Sequence, residues 1–232
     1  MSLSHSPSIV TSGLVLCLDA ANTRSYPGSG TAWTDLSTQG NNGTLTGSPT
    51  FNSGNGGYIS FNGTTDYVPI ADKFSTAAGT IACWFTVNSN ITSSNNINYR
   101  ICGKSSNYEL RFVNSASDGG GASLGSLGAD IGGVSDRSVV TTRRTWDANT
   151  WYYATLTWNT ATPTSSIYVQ GVLDGTGTSG SMTTQTGIFD VGRSGTRGYL
   201  AGRISLFTVY DRALSATEIL QNFNASKGRY GL

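Results

Sequence analysis

Residues 198–232 read GYLAGRISLFTVYDRALSATEILQNFNASKGRYGL, and this closing stretch decides how the rest of the chain is understood. Over 199–210 the side chains alternate with the period of a strand, Leu200, Ile204 and Leu206 on one face and Tyr199, Ala201, Phe207 and Val209 on the other. Apolar groups on both faces predict a strand in the interior of a sheet. The chain breaks at Asp211-Arg212 and restarts as a helix, with Ser215 as cap, Glu218 completing a capping box and Leu214 stapled onto Ile219. Ile219, Leu220 and Phe223 form one apolar stripe, and Lys227-Gly228 supply a basic last turn and a glycine stop. Nothing on this helix looks chemical, so its predicted role is to close off a domain edge.

Upstream, the two-residue period recurs. GLVLCLDAA (13–21), 44–46, 57–61, 66–70, 80–87, 99–103, 108–113, 137–142, 151–158, 166–173 and 187–192 all read as strands. Asn62-Gly63-Thr64-Thr65 predicts a four-residue hairpin connection, and 99–103 with 108–113 a second hairpin. Residues 23–55 are turn-rich, and 114–136 are nearly all small, either a loop or strands too rich in glycine to see. Trp84, in mid-strand, reads as filler between sheets. Many short strands and one helix predict an all-β chain of two packed antiparallel sheets.

At 232 residues the chain fits one domain, 13–232, preceded by a polar arm, 1–12, expected to dock on a neighbour. Charged residues are 12% of the total and the net charge is +1, which offers no steering field for nucleic acid or an anionic membrane. The first residues lack a basic start followed by an apolar run, so no signal peptide is expected, and no stretch approaches a membrane span. Cys17, Cys83 and Cys102 are odd in number and far apart, which predicts buried free thiols. The sequons at Asn42, Asn62, Asn90 and Asn224 are read as chance in an Asn- and Thr-rich chain.

Glycoside hydrolysis needs two carboxyl groups about 5 to 9 Å apart. The chain has only two glutamates, Glu109 and Glu218, and Glu218 already serves the capping box. The single histidine, His5, lies in the arm, so a nucleophile–imidazole system has no base. The expectation is a protein without catalytic residues; a glycosidase would have to rest on Glu109 or Asp136. Sugar binding asks for exposed aromatic faces and planar polar groups on loops. Tyr26, Trp33, Trp146 and Tyr199 are the aromatics nearest turns, and the candidate carbohydrate site is Trp146 with Arg143, Arg144 and Asp147, together with Tyr26. The alternatives are that Trp146 covers an edge of the core and that Arg137, Arg143 and Arg144 serve a protein interface.

The junction YDRALSATEI (210–219) resembles the closing segment of laminin G-like, concanavalin A-like jelly rolls, and TWYYATLTW (150–158) followed by SSIYVQGVLDG (165–175) resembles their central hairpin. The tail QNFNASKGRYGL (221–232), with GLVLCLDAANTRSYPGSGTAWTDLS (13–37), resembles laminin G-like virion proteins of tailed bacteriophages. The resemblance implies a two-sheet antiparallel jelly-roll sandwich with one short C-terminal helix, in which 33–45 wraps over the sandwich with Trp33 and Leu36 beneath. It further implies a non-enzymatic virion protein, made in a host cytoplasm and displayed as a capsid decoration or fibre-like adhesin. Its partners would be other virion proteins and host or environmental polysaccharide, not nucleic acid or membrane, and it would work as a homo-oligomer. The alternative is a stand-alone lectin or carbohydrate-binding module. No cofactor is expected beyond a structural calcium, which the resembled family often carries at the rim; Asp35 and Asp66 are its candidate ligands, each with a competing role in its own turn.

Overall fold

The strand predicted at 199–210 is the spine of the molecule. The computed structural model describes residues 8–71, 76–94, 97–104, 108–113, 124–132, 138–182 and 187–232. Among these there are sixteen strands: β1 Leu14–Asp19, β2 Ala32–Trp33, β3 Gly43–Thr44, β4 Thr50–Asn52, β5 Tyr58–Asn62, β6 Val68–Ala71, β7 Ala78–Val87, β8 Arg100–Lys104, β9 Tyr108–Phe112, β10 Leu127–Ile131, β11 Val139–Val140, β12 Tyr152–Asn159, β13 Thr164–Val169, β14 Val172–Gly177, β15 Ile188–Val191 and β16 Ala201–Tyr210. One helix, α1 Ala216–Ser226, follows. Every strand pairing is antiparallel. The first sheet runs β14-β13-β12-β7-β16-β5-β4 with β1 also on β16, and the second runs β11-β10-β9-β8-β15-β6-β3-β2. This is the expected jelly-roll sandwich. β16 has β7 on one edge and β5 then β1 on the other, and its faces are covered by the core on one side and by the C-terminal segment on the other, which explains why both are apolar.

The core lies between the sheets, with Leu16, Ile81, Phe85, Leu156 and Phe207 from the first meeting Val68, Ile101, Leu110, Phe112 and Phe189 from the second. Each such fully buried side chain contributes about 1.5–3 kcal/mol. A second apolar cluster forms on the outward face of the first sheet, where Trp84, Tyr153 and Leu206 meet Phe223 and Tyr230 of the C-terminal segment. Trp84 is therefore buried, but beneath the helix and not between the sheets. Its ring stacks on Tyr230 at 4.0 Å and on Phe223 at 5.7 Å, and its Nε1 donates to Ser226 Oγ at 2.8 Å. The helix starts as predicted, with both hydrogen bonds of the Ser215–Glu218 capping box formed.

Several local readings are corrected. The register of β16 on β7 shifts between Ile204 and Phe207. This bulge sends both of those side chains into the core and Leu206 to the helix side, so strict alternation fails there. Asn62 to Asp66 is not a hairpin. β5 pairs with β4 and β16 in the first sheet and β6 with β3 and β15 in the second, so the turn is a corner between layers. The stretch 166–173 is interrupted at Gln170 and Gly171, whose φ values of 53° and 77° make a two-residue turn between β13 and β14. Within 114–136 a glycine-containing strand, β10, does form. The helix gives way to a 3₁₀ turn, Lys227–Tyr230, stopped by Gly231 at φ 74° and not by Gly228.

Where the arm is described it packs on its own chain: Val10 N–H donates to Asn222 Oδ1 at 2.7 Å, Tyr210 Oη donates to Val10 O at 3.0 Å and Gln221 Nε2 donates to Ser8 O at 2.8 Å, so residues 8–10 are held by β16 and α1. His5, Asp136 and Arg137 lie outside the described residues. Among the described residues, no helix is long and apolar enough to cross a membrane.

Candidate functional site

The structure does not assemble the carbohydrate site expected from sequence. Trp146 is 0% exposed, walled in by Phe85, Phe112 and Tyr152 at centroid distances of 5.9, 5.4 and 4.9 Å, with its Nε1 donating to Gly125 O. A ring with no open face cannot receive a sugar, so the alternative reading of Trp146 as core is the correct one. Arg143 is exposed, its guanidinium 5.5 Å from the ring centroids of both Trp146 and Tyr152, and Arg144 and Asp147 are exposed beside it. Tyr26 is buried elsewhere, against Phe51, with its hydroxyl donating to Gly30 O at 2.8 Å.

The calcium candidates are loop anchors. Asp35 accepts from the N–H groups of Cys17, Ser37 and Asn41 and from Ser37 Oγ. Asp66 accepts from the N–H groups of Ser48 and Asn62, from Asn62 Nδ2 and from Thr65 Oγ1. Their oxygens are engaged in holding turns, and among the described residues no group of three or more His, Cys, Asp or Glu side chains could hold a metal ion.

What the fold does assemble lies on the outward face of the second sheet. In YELRF (108–112) Tyr108, Leu110 and Phe112 face the core, so by the pleat Glu109 and Arg111 face away. The same alternation turns Asp130 outward from LGADI and Asp190 from IFDV. Register then lines up Pro69, Asp190, Gly103, Glu109 and Asp130 across five neighbouring strands, with Arg100 opposite Arg111 in the next row. These charges are buried: Asp190 is 3% exposed, Glu109 5%, Arg111 7% and Arg100 8%.

Ionic geometry binds the row together. Glu109 Oε1 lies 2.7 Å from both Arg100 Nη1 and Arg111 Nε, and Arg111 Nε is also 3.2 Å from Asp130 Oδ2. Burial, reinforced by a hydrogen bond to Glu109, pushes the Asp130 carboxyl up to about 6. Burial opposes charge on Glu109 as well, but Arg100, the hydrogen bond with Asp130 and Arg111 together hold it below the usual carboxylate range. The two acids thus sit side by side with different proton affinities. Burial lowers Arg100 from its ordinary range, although the neighbouring Glu109 works against that.

At one end of the row the charge surfaces. Asp190 Oδ2 accepts from Arg193 Nε at 2.8 Å, which lays the guanidinium over the Tyr67 ring, 3.1 Å from its centroid. Tyr199 completes the group: it bridges Arg193 through the backbone, its hydroxyl is 3.4 Å from Arg193 Nη1 and its ring meets Tyr67 edge-on at 6.5 Å. Burial lifts Asp190 while the pairing lifts Arg193, so the two ends pull in opposite directions. The short contact to a group as basic as guanidinium decides for the charged pair. Both tyrosines are half-buried, leaving an aromatic and cationic rim open to solvent.

Sequence reasoning noted Tyr199 as near a turn and Glu109 only as a hydrolase fallback, and it missed Tyr67, Arg100, Arg111, Asp130, Asp190 and Arg193. A signal was present. In a chain with 12% charged residues, acids and arginines at outward positions of several apolar strands are a concentration that needs explaining.

The model of the concanavalin A-like lectin/glucanases superfamily, of laminin G type, matches residues 54–220. No curated protein matches the chain in sequence. Among solved structures, the receptor binding domain of botulinum neurotoxin C/D mosaic serotype is similar with TM-score 0.65 at 14% identity, over 92% of this chain and 51% of that one. The binding domain of botulinum neurotoxin DC in complex with SialylT is similar with TM-score 0.64 at 13% identity, over 92% and 51%. Trypanosoma rangeli sialidase, in complex with a difluoro-KDN, is similar with TM-score 0.65 at 16% identity, over 99% and 36%. The chain therefore spans about half the length of the toxin domains it matches, and likeness at such identities shows the fold alone. These neighbours overturn the virion reading. The similar structures named here are toxin binding domains and a sialidase, so the reading as a capsid decoration or fibre-like adhesin of a phage particle is withdrawn.

Proposed function

The chain belongs to the concanavalin A-like lectin/glucanases superfamily, and from that premise we propose that it is a lectin-like, non-enzymatic carbohydrate-binding module. The observation that carries the proposal is the Tyr67–Arg193–Tyr199 rim, fixed by Asp190 at the end of the buried charged row. Aromatic surface joined to rigid, planar hydrogen-bonding groups suits the mixed apolar and hydroxylated faces of a sugar ring. A guanidinium pinned by a carboxylate and a ring loses little freedom when a ligand arrives. The SialylT complex of a similar toxin domain and the sialidases among the similar structures support the same reading. A glycan array probed with the purified chain tests it: selective binding that Arg193→Ala weakens is the expected result, and no binding to any glycan would overturn it.

One observation favours a glycosidase as the second reading. Asp130, pushed up to about 6 beside an ionised Glu109, has the divergent proton affinities of an acid and its partner. Geometry argues against it. A glycosidic bond must fit between carboxyls about 5 to 9.5 Å apart, whereas these two share one guanidinium nitrogen and hydrogen-bond to each other. Release of reducing sugar that disappears in Asp130→Asn would establish the second reading.

A further inference from the structure

Three arginines gather at the tyrosine rim. Gly192 N–H donates to Ile101 O at 2.7 Å, which carries the line of β15 past Val191 and sets Arg193 level with Arg100 on β8. The bridge between Arg193 and Tyr199 then closes a short loop, 194–198, that carries Arg197. Burial lowers Arg100 from its ordinary range, and the charges of Arg111 and Arg197 add to that, so the Arg197 guanidinium lies within electrostatic reach of Arg100.

Two of the three are already answered by acids. Arg100 has Glu109 at 2.7 Å and Arg193 has Asp190 at 2.8 Å. Arg197 is exposed, and among the described residues it has no carboxylate partner. Along the row Arg100, Arg111, Arg193 and Arg197 stand against Glu109, Asp130 and Asp190, so the described residues leave a positive surplus at the rim.

An exposed arginine on a loose loop would say little, but this loop is pinned. Arg197 N–H donates to Ser194 O at 3.1 Å, and Asn98 Nδ2 donates to Arg197 O at 2.6 Å. A Cβ on Gly198 would lie 2.5 Å from Asn98 O, so the close seat of Asn98 depends on glycine at that position. Arg193 is oriented as well. Asp190 takes its Nε and the Tyr67 ring lies under its plane, which leaves the Nη edge of the fork with only the 3.4 Å contact to the Tyr199 hydroxyl.

A guanidinium fork matches a carboxylate in geometry as well as in charge. A neutral ligand would cover Arg197 without answering its charge, whereas an anionic one complements it. We infer that the rim takes a saccharide bearing a carboxylate, its ring against Tyr199 and its carboxylate shared between the Nη edge of Arg193 and the guanidinium of Arg197. The inference rests on the carbohydrate-binding reading and narrows it to acidic sugars.

Titration calorimetry of the intact chain tests it with a uronate-bearing and a sialylated oligosaccharide, each compared with its neutral methyl ester. At least one acid should bind about tenfold or more tighter than its ester, and rising salt should shrink the difference. Whichever pair shows it identifies the source of the carboxylate. Arg197→Gln should bring the acid's affinity down towards that of its ester, while the melting temperature moves by no more than a few degrees because the side chain is exposed. Arg197→Lys, which keeps the charge but not the fork, should retain part of the preference. Equal binding of each acid and its ester, or a preference that survives in Arg197→Gln, would overturn the inference and leave the carbohydrate-binding reading standing. If acids and esters all fail to bind but the glycan array finds a neutral ligand, only the inference falls; if the array is empty as well, both do.

Discussion

The two sheets turn very different faces outward. The first carries Trp84, Tyr153 and Leu206, and the C-terminal segment covers them with Phe223 and Tyr230. The second carries Arg100, Glu109, Arg111, Asp130 and Asp190. Apolar burial on the first face stabilises the fold directly. Burying ion pairs rarely does, because desolvation offsets the attraction, and replacement by well-packed apolar groups is often neutral or stabilising. The same scaffold therefore uses one face to hold itself together, while the other keeps buried ion pairs that contribute little net stability.

The sharpest way to break this comparison is on the covered face. Trp84→Ala removes a fully buried indole and its hydrogen bond to Ser226, and should cost about 3–5 kcal/mol in urea unfolding. A loss below about 1 kcal/mol would mean that the helix is not part of the stabilising layer.

On the charged face, pH is the probe. Asp130 ionises near 6 in the folded chain, above its ordinary 3.8, so the folded state binds more protons than the unfolded one between those values. Its contribution to stability is fully present below about pH 4 and is lost as pH rises through 6. Relative to Asp130→Asn, the wild type should lose on the order of 2 kcal/mol between pH 4 and pH 7. A constant difference between the two proteins would remove the proton from the Glu109–Asp130 pair.

Next in size is Arg193→Ala, expected to weaken glycan binding by about tenfold or more, about 1.4 kcal/mol, measured by titration calorimetry. Equal binding would place the ligand elsewhere. The smallest effect expected is that of Ser215→Ala, which removes the helix cap. About 1 kcal/mol of stability should be lost, read from thermal melts, with glycan affinity unchanged because only the covered face is touched.

Much of the covered face was legible in the sequence. The capping box, the apolar stripe and the two-sided strands 80–87 and 199–210 are local patterns, and local patterns survive folding. Three things were hidden because they depend on tertiary partners. At the bulge the Ser205 hydroxyl donates to Gly57 O, a contact across 148 residues that no local pattern announces. The Asn62–Asp66 corner has the composition of a hairpin, and only the pairing of β5 and β6 in different sheets distinguishes the two. Trp146 looked loop-borne, but Ile91 pairs with it as an isolated bridge and draws it into the core. The charged row was the least visible. Its members come from four strands between residues 100 and 190, and only register makes Asp190, Glu109 and Asp130 neighbours.

The account stands or falls on whether the charged face holds a sugar without breaking it. Incubation of the intact chain with an oligosaccharide that it binds, followed by mass spectrometry of the recovered ligand, tests this most directly. The prediction is saturable binding that Arg193→Ala weakens, with the oligosaccharide recovered at its original length. Shortened products that vanish with Asp130→Asn would contradict it.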